Sequence, residues 1–332
     1  MRKLPYLSPT SLSKYLESPE EFYLAYLADV RPPRFRQTQP MSIGSAFDAY
    51  AKSYLHKKLL GSSDPDAAKF EFDTLFQAQV EPHNRDWAKV HGKYVFDQYV
   101  ASGALADLFV ELEQAIGKPR FELDILGTVQ SDIFGVPFLG KPDLFFVNKE
   151  ALNIISDWKV NGYCSQTGAS PTKGFIKRIP GWDCHALSYP ITYRGTKVNG
   201  TNFKLHEADV SWARQTVIYA WLCGCTVGSE FVHAIDQVAC NNRKNPNPGT
   251  GYPQLSFVQH RYKSDSDFQH HIFRQAVEVW DIISGPPEKY FRGLSEDESA
   301  SRCASLEARA KSMFEGPKTK EEALFLDICY GD

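Results

Sequence analysis

Between residues 119 and 160 the chain alternates short apolar, β-branched runs with breaks of Gly, Pro and Asn, and this segment constrains the fold most tightly. Residues 120–126, 130–134, 136–147 and 152–160 have the length and composition of strands. The breaks between them are short enough for hairpins, so consecutive, hairpin-linked strands are expected.

The flanks read differently. The first 118 residues follow a helical period: 11–27, interrupted by Pro19, then 42–60, with Ile43, Phe47, Tyr50, Ala51 and Tyr54 on one stripe. Further helices are expected over 66–80, 84–101 and 104–116, the last closed by Gly117 and Pro119. Beyond the strands come a loop-rich stretch at 161–205 and a helix over about 207–223. Strands at 229–239 and 254–262 then flank an Asn/Pro/Gly-rich loop at 241–252, and a helix follows over 265–284. Gly285-Pro286-Pro287 marks a boundary before an acidic, helix-prone tail. The expected organisation is α/β: a helical part over 1–118, a core over 119–285 carrying the insertion 161–205, and a tail over 286–332.

Composition narrows the class. Apolar residues are 42% and charged residues 23% of 332, enough for a large core and incompatible with wholesale disorder. With 37 basic and 40 acidic side chains the formal charge is −3, which excludes a uniformly basic coat but leaves room for a local basic patch. Seven cysteines, with no CxxC pair, argue against a zinc ribbon or a disulfide scaffold, and Cys223 and Cys225 read as buried free thiols. No apolar run reaches the ~20 residues of a membrane span, and residues 1–5 lack a signal-peptide stretch. A cytoplasmic protein without membrane contact is expected, in the host cytoplasm if phage-encoded.

Chemistry concentrates around Gly140-Lys141-Pro142-Asp143 and Asn153-Ile154-Ile155-Ser156-Asp157-Trp158-Lys159. Residues two apart on a strand share a face, so Asp157 and Lys159 project together and Trp158 points the other way. Asp143 belongs to the preceding strand of the same hairpin, bringing two carboxylates and an ammonium to the end of an apolar sheet. Such a group is costly without a compensating cation. Two hard oxygen ligands suit Mg²⁺ or Mn²⁺, and a lysine beside the ion could position an attacking water or steady charge on phosphorus. A D-x-K tripeptide also forms surface ion pairs of little worth. The apolar flanks of both strands favour the buried site.

These residues carry a resemblance. Pro142-Asp143, then thirteen residues, then Asp157-Trp158-Lys159 resembles the signature of the PD-(D/E)XK nuclease superfamily. Other elements are similar to its RecB-type exonuclease branch. Ser8-Pro9-Thr10-Ser11-Leu12-Ser13-Lys14-Tyr15 with Ser18-Pro19-Glu20-Glu21-Phe22-Tyr23 resembles the branch's N-terminal element, and Gly44-Ser45-Ala46-Phe47-Asp48 its G-x-x-x-H helix. Gln215-Thr216-Val217-Ile218-Tyr219 matches its Q-x-x-x-Y motif, and Glu122 sits where such proteins often carry a glutamate. The order agrees over residues 8–284. The resemblance implies a restriction-endonuclease-like central mixed sheet flanked by helices. It also implies Mg²⁺ or Mn²⁺ held by Asp48, Asp143, Asp157 and the Trp158 carbonyl, with Glu122 as a second-tier ligand. Lys159 would act on the water, and Gln215 and Tyr219 would face the site.

Two departures matter. Ser18 replaces the branch's cysteine and the tail lacks the cysteine triplet of its cluster-bearing members, so no iron–sulfur cluster is expected. Asp48 replaces the motif's histidine, a harder ligand that favours Mg²⁺. Gly44, one helical turn before Asp48, is expected to make room for the sheet.

The insertion 161–205 holds Lys173, Lys177, Arg178, Arg194, Lys197 and Lys204 against the one acid Asp183, interleaved with aromatics such as Phe175, Trp182 and Tyr193. That pattern suits a nucleic-acid strand held by phosphate contacts and stacking, although a solvated loop packing its aromatics would also produce it. DNA is the expected substrate, with exonuclease favoured by the resemblance. A structure-selective or restriction-like endonuclease and a non-catalytic DNA-binding protein are the alternatives. Similar stand-alone members act in phage recombination and repair, which implies a single-strand annealing or other recombination protein as partner.

Overall fold

The computed structural model describes residues 1–30, 36–165, 191–198, 201–203, 210–242 and 249–315. In chain order its helices are α1 (Pro9–Glu17), α2 (Pro19–Phe22), α3 (Gln39–Leu60), α4 (Phe72–Gln79), α5 (Arg85–Ala101), α6 (Ala104–Glu113), α7 (Val210–Leu222), α8 (Ser266–Ser284) and α9 (Glu296–Glu315). Its strands are β1 (Ile116–Phe121), β2 (Ile125–Ser131), β3 (Phe134–Gly140), β4 (Leu144–Val147), β5 (Asn153–Asn161), β6 (Ile191–Val198), β7 (Thr201–Phe203), β8 (Val232–Asn242) and β9 (Gln254–Lys263).

The chain forms two compact units. Residues 37–124 and 141–269 make the larger one, built on a mixed sheet in the order β1-β4-β5-β8-β9-β6-β7. β5 and β8 run parallel, with Asp157 opposite Ile235 and Lys159 opposite Gln237, while the other neighbours are antiparallel. A parallel pair needs a crossover, which runs from 162 to 231 and includes α7. α3, α5 and α6 cover one face: Phe47, Val95, Tyr99, Leu108 and Leu112 join Phe146, Ile154, Trp158, Val232 and Ala234 in a single buried core. α7 packs on β5 and β8 and buries Val217 and Ile218. β5 is therefore covered on both faces, and its polar Ser156 and Asp157 are buried together with its apolar residues.

α3 and α5 approach unusually closely. A Cβ built on Gly92 of α5 would lie 2.5 Å from the Ala46 Cβ of α3, so this glycine sets the helix spacing. The room expected from Gly44 is not used: nothing lies within 4 Å of where its Cβ would be. Helix α3 starts at Gln39 with Pro40 in its first turn and stops at Gly61, whose φ of 74° ends the helix.

The smaller unit comprises 1–36, 125–140 and 270–332. Ser8 caps α1 reciprocally with Ser11, and Ser18 caps α2. The Leu7 backbone adds alongside β3, donating to Pro137 O at 2.9 Å and accepting from Leu139 N at 2.8 Å. Tyr23 hydroxyl donates to Glu307 of α9 at 2.9 Å, and Tyr290 hydroxyl to the Pro19 carbonyl at 2.7 Å.

The strand run differs from the expected meander. β2 and β3 form a two-stranded sheet of their own, while β1 pairs with β4, so the hairpin 125–140 is an excursion between two neighbours of the main sheet. The expected strand 136–147 breaks at Lys141-Pro142-Asp143. The proline has no N–H for a ladder, and the chain changes sheets there. The expected helix end at Gly117 and Pro119 is instead strand β1, where Gly117 takes φ 78° and the register shifts between Ile116 and Arg120. Residues 191–198 and 201–203 form strands in a stretch expected to be loop.

Candidate active site

The site forms where β4 has not yet begun and β5 continues past it. Leu144 pairs with Ser156, so Asp143, one residue before β4, lies beside Asp157-Trp158 with no strand between. The Trp158 N–H donates to Asp143 Oδ2 at 3.2 Å. In extended backbone one residue's N–H and C=O face the same edge, so the Trp158 carbonyl also looks toward this gap. The Trp158 indole points away into the core, as the alternation requires.

Alternation on β5 sends Asp157 and Lys159 to the α7 face. Lys159 Nζ is ion-paired with Asp157 and donates to Gln215 Oε1 at 2.9 Å. Gln215 Nε2 in turn donates to the Tyr219 hydroxyl at 2.9 Å. The four-residue spacing on α7 thus places both side chains over the strand.

On the other side stands α3. Its Asp48 and Lys52, one turn apart, reach Asp143 and Glu122. Lys52 Nζ lies 2.8 Å from Asp48 Oδ2 and 2.9 Å from Asp143 Oδ1, and is bonded to Glu122 as well; the side chain is 1% exposed. Glu122 is placed by an uncommon backbone, φ 50° just past β1, and its other oxygen pairs with Lys141 at 2.7 Å. Its N–H donates to the Asp143 carbonyl at 3.0 Å, tying the two acidic residues together through the main chain.

Burial and charge divide the carboxylates. Burial pushes Asp48 up to about 7, with Asp143 and Glu122 adding to it against the pull of Lys52. Burial also works to raise Asp143, but Lys52, a hydrogen bond with Asp157 and Lys159 outweigh it and hold Asp143 well below the usual range. Asp157, 3% exposed, is pushed up by burial and by the Asp143 charge. Glu122 is held low despite its burial, by Lys52 and Lys141. Two carboxyl groups in contact thus differ in proton affinity, as expected of neighbours that resist joint ionisation without a metal.

The donor set fits a hard divalent ion. Asp48, Glu122 and Asp143 each offer an oxygen within 4.8 Å of one another around the Lys52 ammonium, and Asp48 Oδ1 is buried without a hydrogen-bond partner. Asp157 adds a fourth carboxylate against Asp143. All-oxygen donors of this kind suit Mg²⁺ or Mn²⁺.

Asp48, Glu122, Asp143, Asp157, Lys159, Gln215 and Tyr219 are therefore brought together in the larger unit. Lys173, Lys177 and Arg178 lie outside the described residues, and for Arg194 and Lys197 only the strand β6 is described. Sequence reading missed Lys52 and Lys141. The available signal for Lys52 was its position, four after Asp48 on a helix whose buried side is otherwise mostly apolar.

No helix among the described residues is long and apolar enough to cross a membrane. No curated protein matches the sequence. One solved structure, that of SSO0001, aligns at 9% identity over 81% of this chain and 84% of its own, with a TM-score of 0.23. The family model of the PD-(D/E)XK nuclease superfamily matches residues 6–171, a span holding Asp48, Glu122, Asp143, Asp157 and Lys159. With half of the chain matched and those side chains gathered at one strand end, the chain belongs to the PD-(D/E)XK nuclease superfamily.

Proposed function

We propose that this chain is a Mg²⁺-dependent deoxyribonuclease that degrades DNA from an end. The observation that carries the reading is the contact of Asp143 with Asp157 beside Lys159, with Gln215 and Tyr219 ordered behind the lysine. Asp143, Asp157 and the Trp158 carbonyl would hold the ion. When bound, it would supply Lewis-acid stabilisation of the phosphoryl oxygens and a more acidic water. Lys159, fixed by Asp157 and Gln215, donates hydrogen bonds toward the attacking water and the charge that develops on the phosphate. Tyr219 holds the Gln215 amide, which in turn fixes the lysine.

A substrate strand needs cationic surroundings. A groove of about 550 Å³ beside Glu122 carries the bases Lys69, Lys118, Arg120 and Lys141 against the acids Asp66, Glu122 and Asp124, a small positive excess. The basic and aromatic composition of 161–205, with Lys173, Lys177, Arg178, Arg194 and Lys197, supports the same reading. The preference for ends, the RecB-type branch and a recombination protein as partner rest on the sequence resemblance. The test is degradation of end-labelled linear duplex in Mg²⁺ with a covalently closed circle as control. Loss of linear DNA alone supports the reading, cutting of the circle makes the protein an endonuclease, and binding without cutting leaves a DNA-binding protein.

A further inference from the structure

We infer that Lys52 is a built-in cation occupying one of two adjacent cation positions in this site, so that the chain takes up one divalent ion and not two. The inference rests on the metal-dependent nuclease reading and specifies its stoichiometry. Three carboxylate oxygens within 4.8 Å of one another, from Asp48, Glu122 and Asp143, are the spacing that a divalent ion would bridge. The Lys52 ammonium already stands there. It has three N–H donors and faces three carboxylates, so every donor is matched to a charged acceptor.

The position is fixed by the chain. Asp48 and Lys52 are one turn apart on a 22-residue helix, and Gln79 Nε2 donates to the same Asp48 oxygen at 2.9 Å, holding that carboxylate toward the lysine. Asp143 faces both ways: Oδ1 meets Lys52, and Oδ2 meets the Trp158 N–H beside Asp157. One carboxylate thus serves a covalently tethered cation on one side and leaves its other side for a diffusible ion.

Charge supports the count. Asp48, Glu122, Asp143 and Asp157, when ionised, face Lys52, Lys141 and Lys159, leaving one negative charge over. One divalent ion turns that into a single positive charge, matched to one phosphodiester. Two would leave three positive charges in a partly buried site, which burial disfavours. On this account Asp48 and Glu122 hold Lys52, and Lys52 is a positioning residue for Asp143.

Mn²⁺ binding to the full chain, counted by electron paramagnetic resonance, tests this without relying on turnover. Wild type and K52R should bind one Mn²⁺, and K52M, which keeps most of the stem but loses the charge, should bind two. D157N, which retains Lys52 and nearly the same shape, should lose Mn²⁺ binding by at least tenfold, and this arm does not depend on K52M folding. Two ions in wild type, one ion in a folded K52M, or an undiminished ion in D157N would each overturn the inference. Absence of Mn²⁺ from both wild type and K52M would overturn the metal-nuclease reading itself, and this inference with it.

Discussion

Asp143 and Asp157 share a gap of one missing strand residue, and each has a different neighbour to satisfy. Replacing either by Asn keeps volume and removes a charge, so the folded protein should bind DNA while losing turnover by about 10²–10³-fold or more. Lys159→Ala should do the same, since no other described ammonium pairs with Asp157. Tyr219→Phe removes only the hydroxyl that the Gln215 amide reaches, and a smaller loss, on the order of tenfold, is expected. Single-turnover rates at saturating Mg²⁺ separate these effects from binding, and a wild-type rate for D157N would remove this hairpin from the chemistry. Period-two alternation made Asp157 and Lys159 legible as neighbours on β5 and four-residue spacing put Gln215 and Tyr219 on one face of α7, while the family resemblance is what tied the two pairs to Asp143. Both periods belong to local geometry and need no knowledge of the fold.

Among the elements, α3 carries the acidic side of the site and depends on α5 to hold it. Gly92→Ala places a methyl against the Ala46 Cβ and the α3 backbone. The gain in helix propensity, about 1 kcal/mol, is smaller than the expected overpacking cost of about 1–3 kcal/mol. Thermal melts should show G92A below wild type, with Ala46→Gly restoring part of the loss in the double variant. Full additivity would mean that the two helices do not meet there. The parallel β8 and its neighbour β9 carry a separate liability in His233 and His260. Burial pushes both imidazoles down to about 3, with the Arg261 charge adding to the effect on His260. The unfolded chain takes up these protons near pH 6.5 and the folded one only near 3, so their stabilising contribution is complete above 6.5 and is lost as pH falls through that window. Each histidine contributes a slope of up to about 1.4 kcal/mol per pH unit there. His260→Gln should flatten the pH dependence of the urea midpoint between pH 6 and 4 by one histidine's share. An unchanged slope would mean that the folded protein protonates His260 as readily as the unfolded chain.

For the whole molecule, the question is how a chain of net charge −3 holds a polyanion. The proposed answer is local concentration of positive charge in the 161–205 stretch, with a smaller positive excess along the groove beside Glu122, where four bases face three acids. Lys177→Ala with Arg178→Ala, and separately Lys69→Ala with Lys118→Ala, should each weaken DNA binding. Each lost phosphate contact should reduce the slope of log affinity against log salt by about one unit. Affinities measured across a salt series by fluorescence anisotropy distinguish the two patches, and a pair that leaves the slope unchanged does not touch phosphate.

Sequence alone determined the α/β class, the strand-rich stretch after Pro119 and the helical flanks, because apolar periodicity records which face of each element is buried. Through spacing it also put Asp157 with Lys159 on one strand face and Gln215 with Tyr219 on one helix face, and through the resemblance to the PD-(D/E)XK superfamily it grouped these with Asp143. It did not determine the pairing of the strands. Nothing in residues 116–147 announces that β1 bonds to β4 across an inserted hairpin, since pairing is decided by which edges remain unsatisfied once the sheet assembles. Nor did it determine Lys52, which reads as an ordinary helical lysine until Glu122 and Asp143 arrive from 70 and 91 residues away. A buried ammonium needs several carboxylates around it, and only the tertiary structure brings those together from three separate stretches of chain.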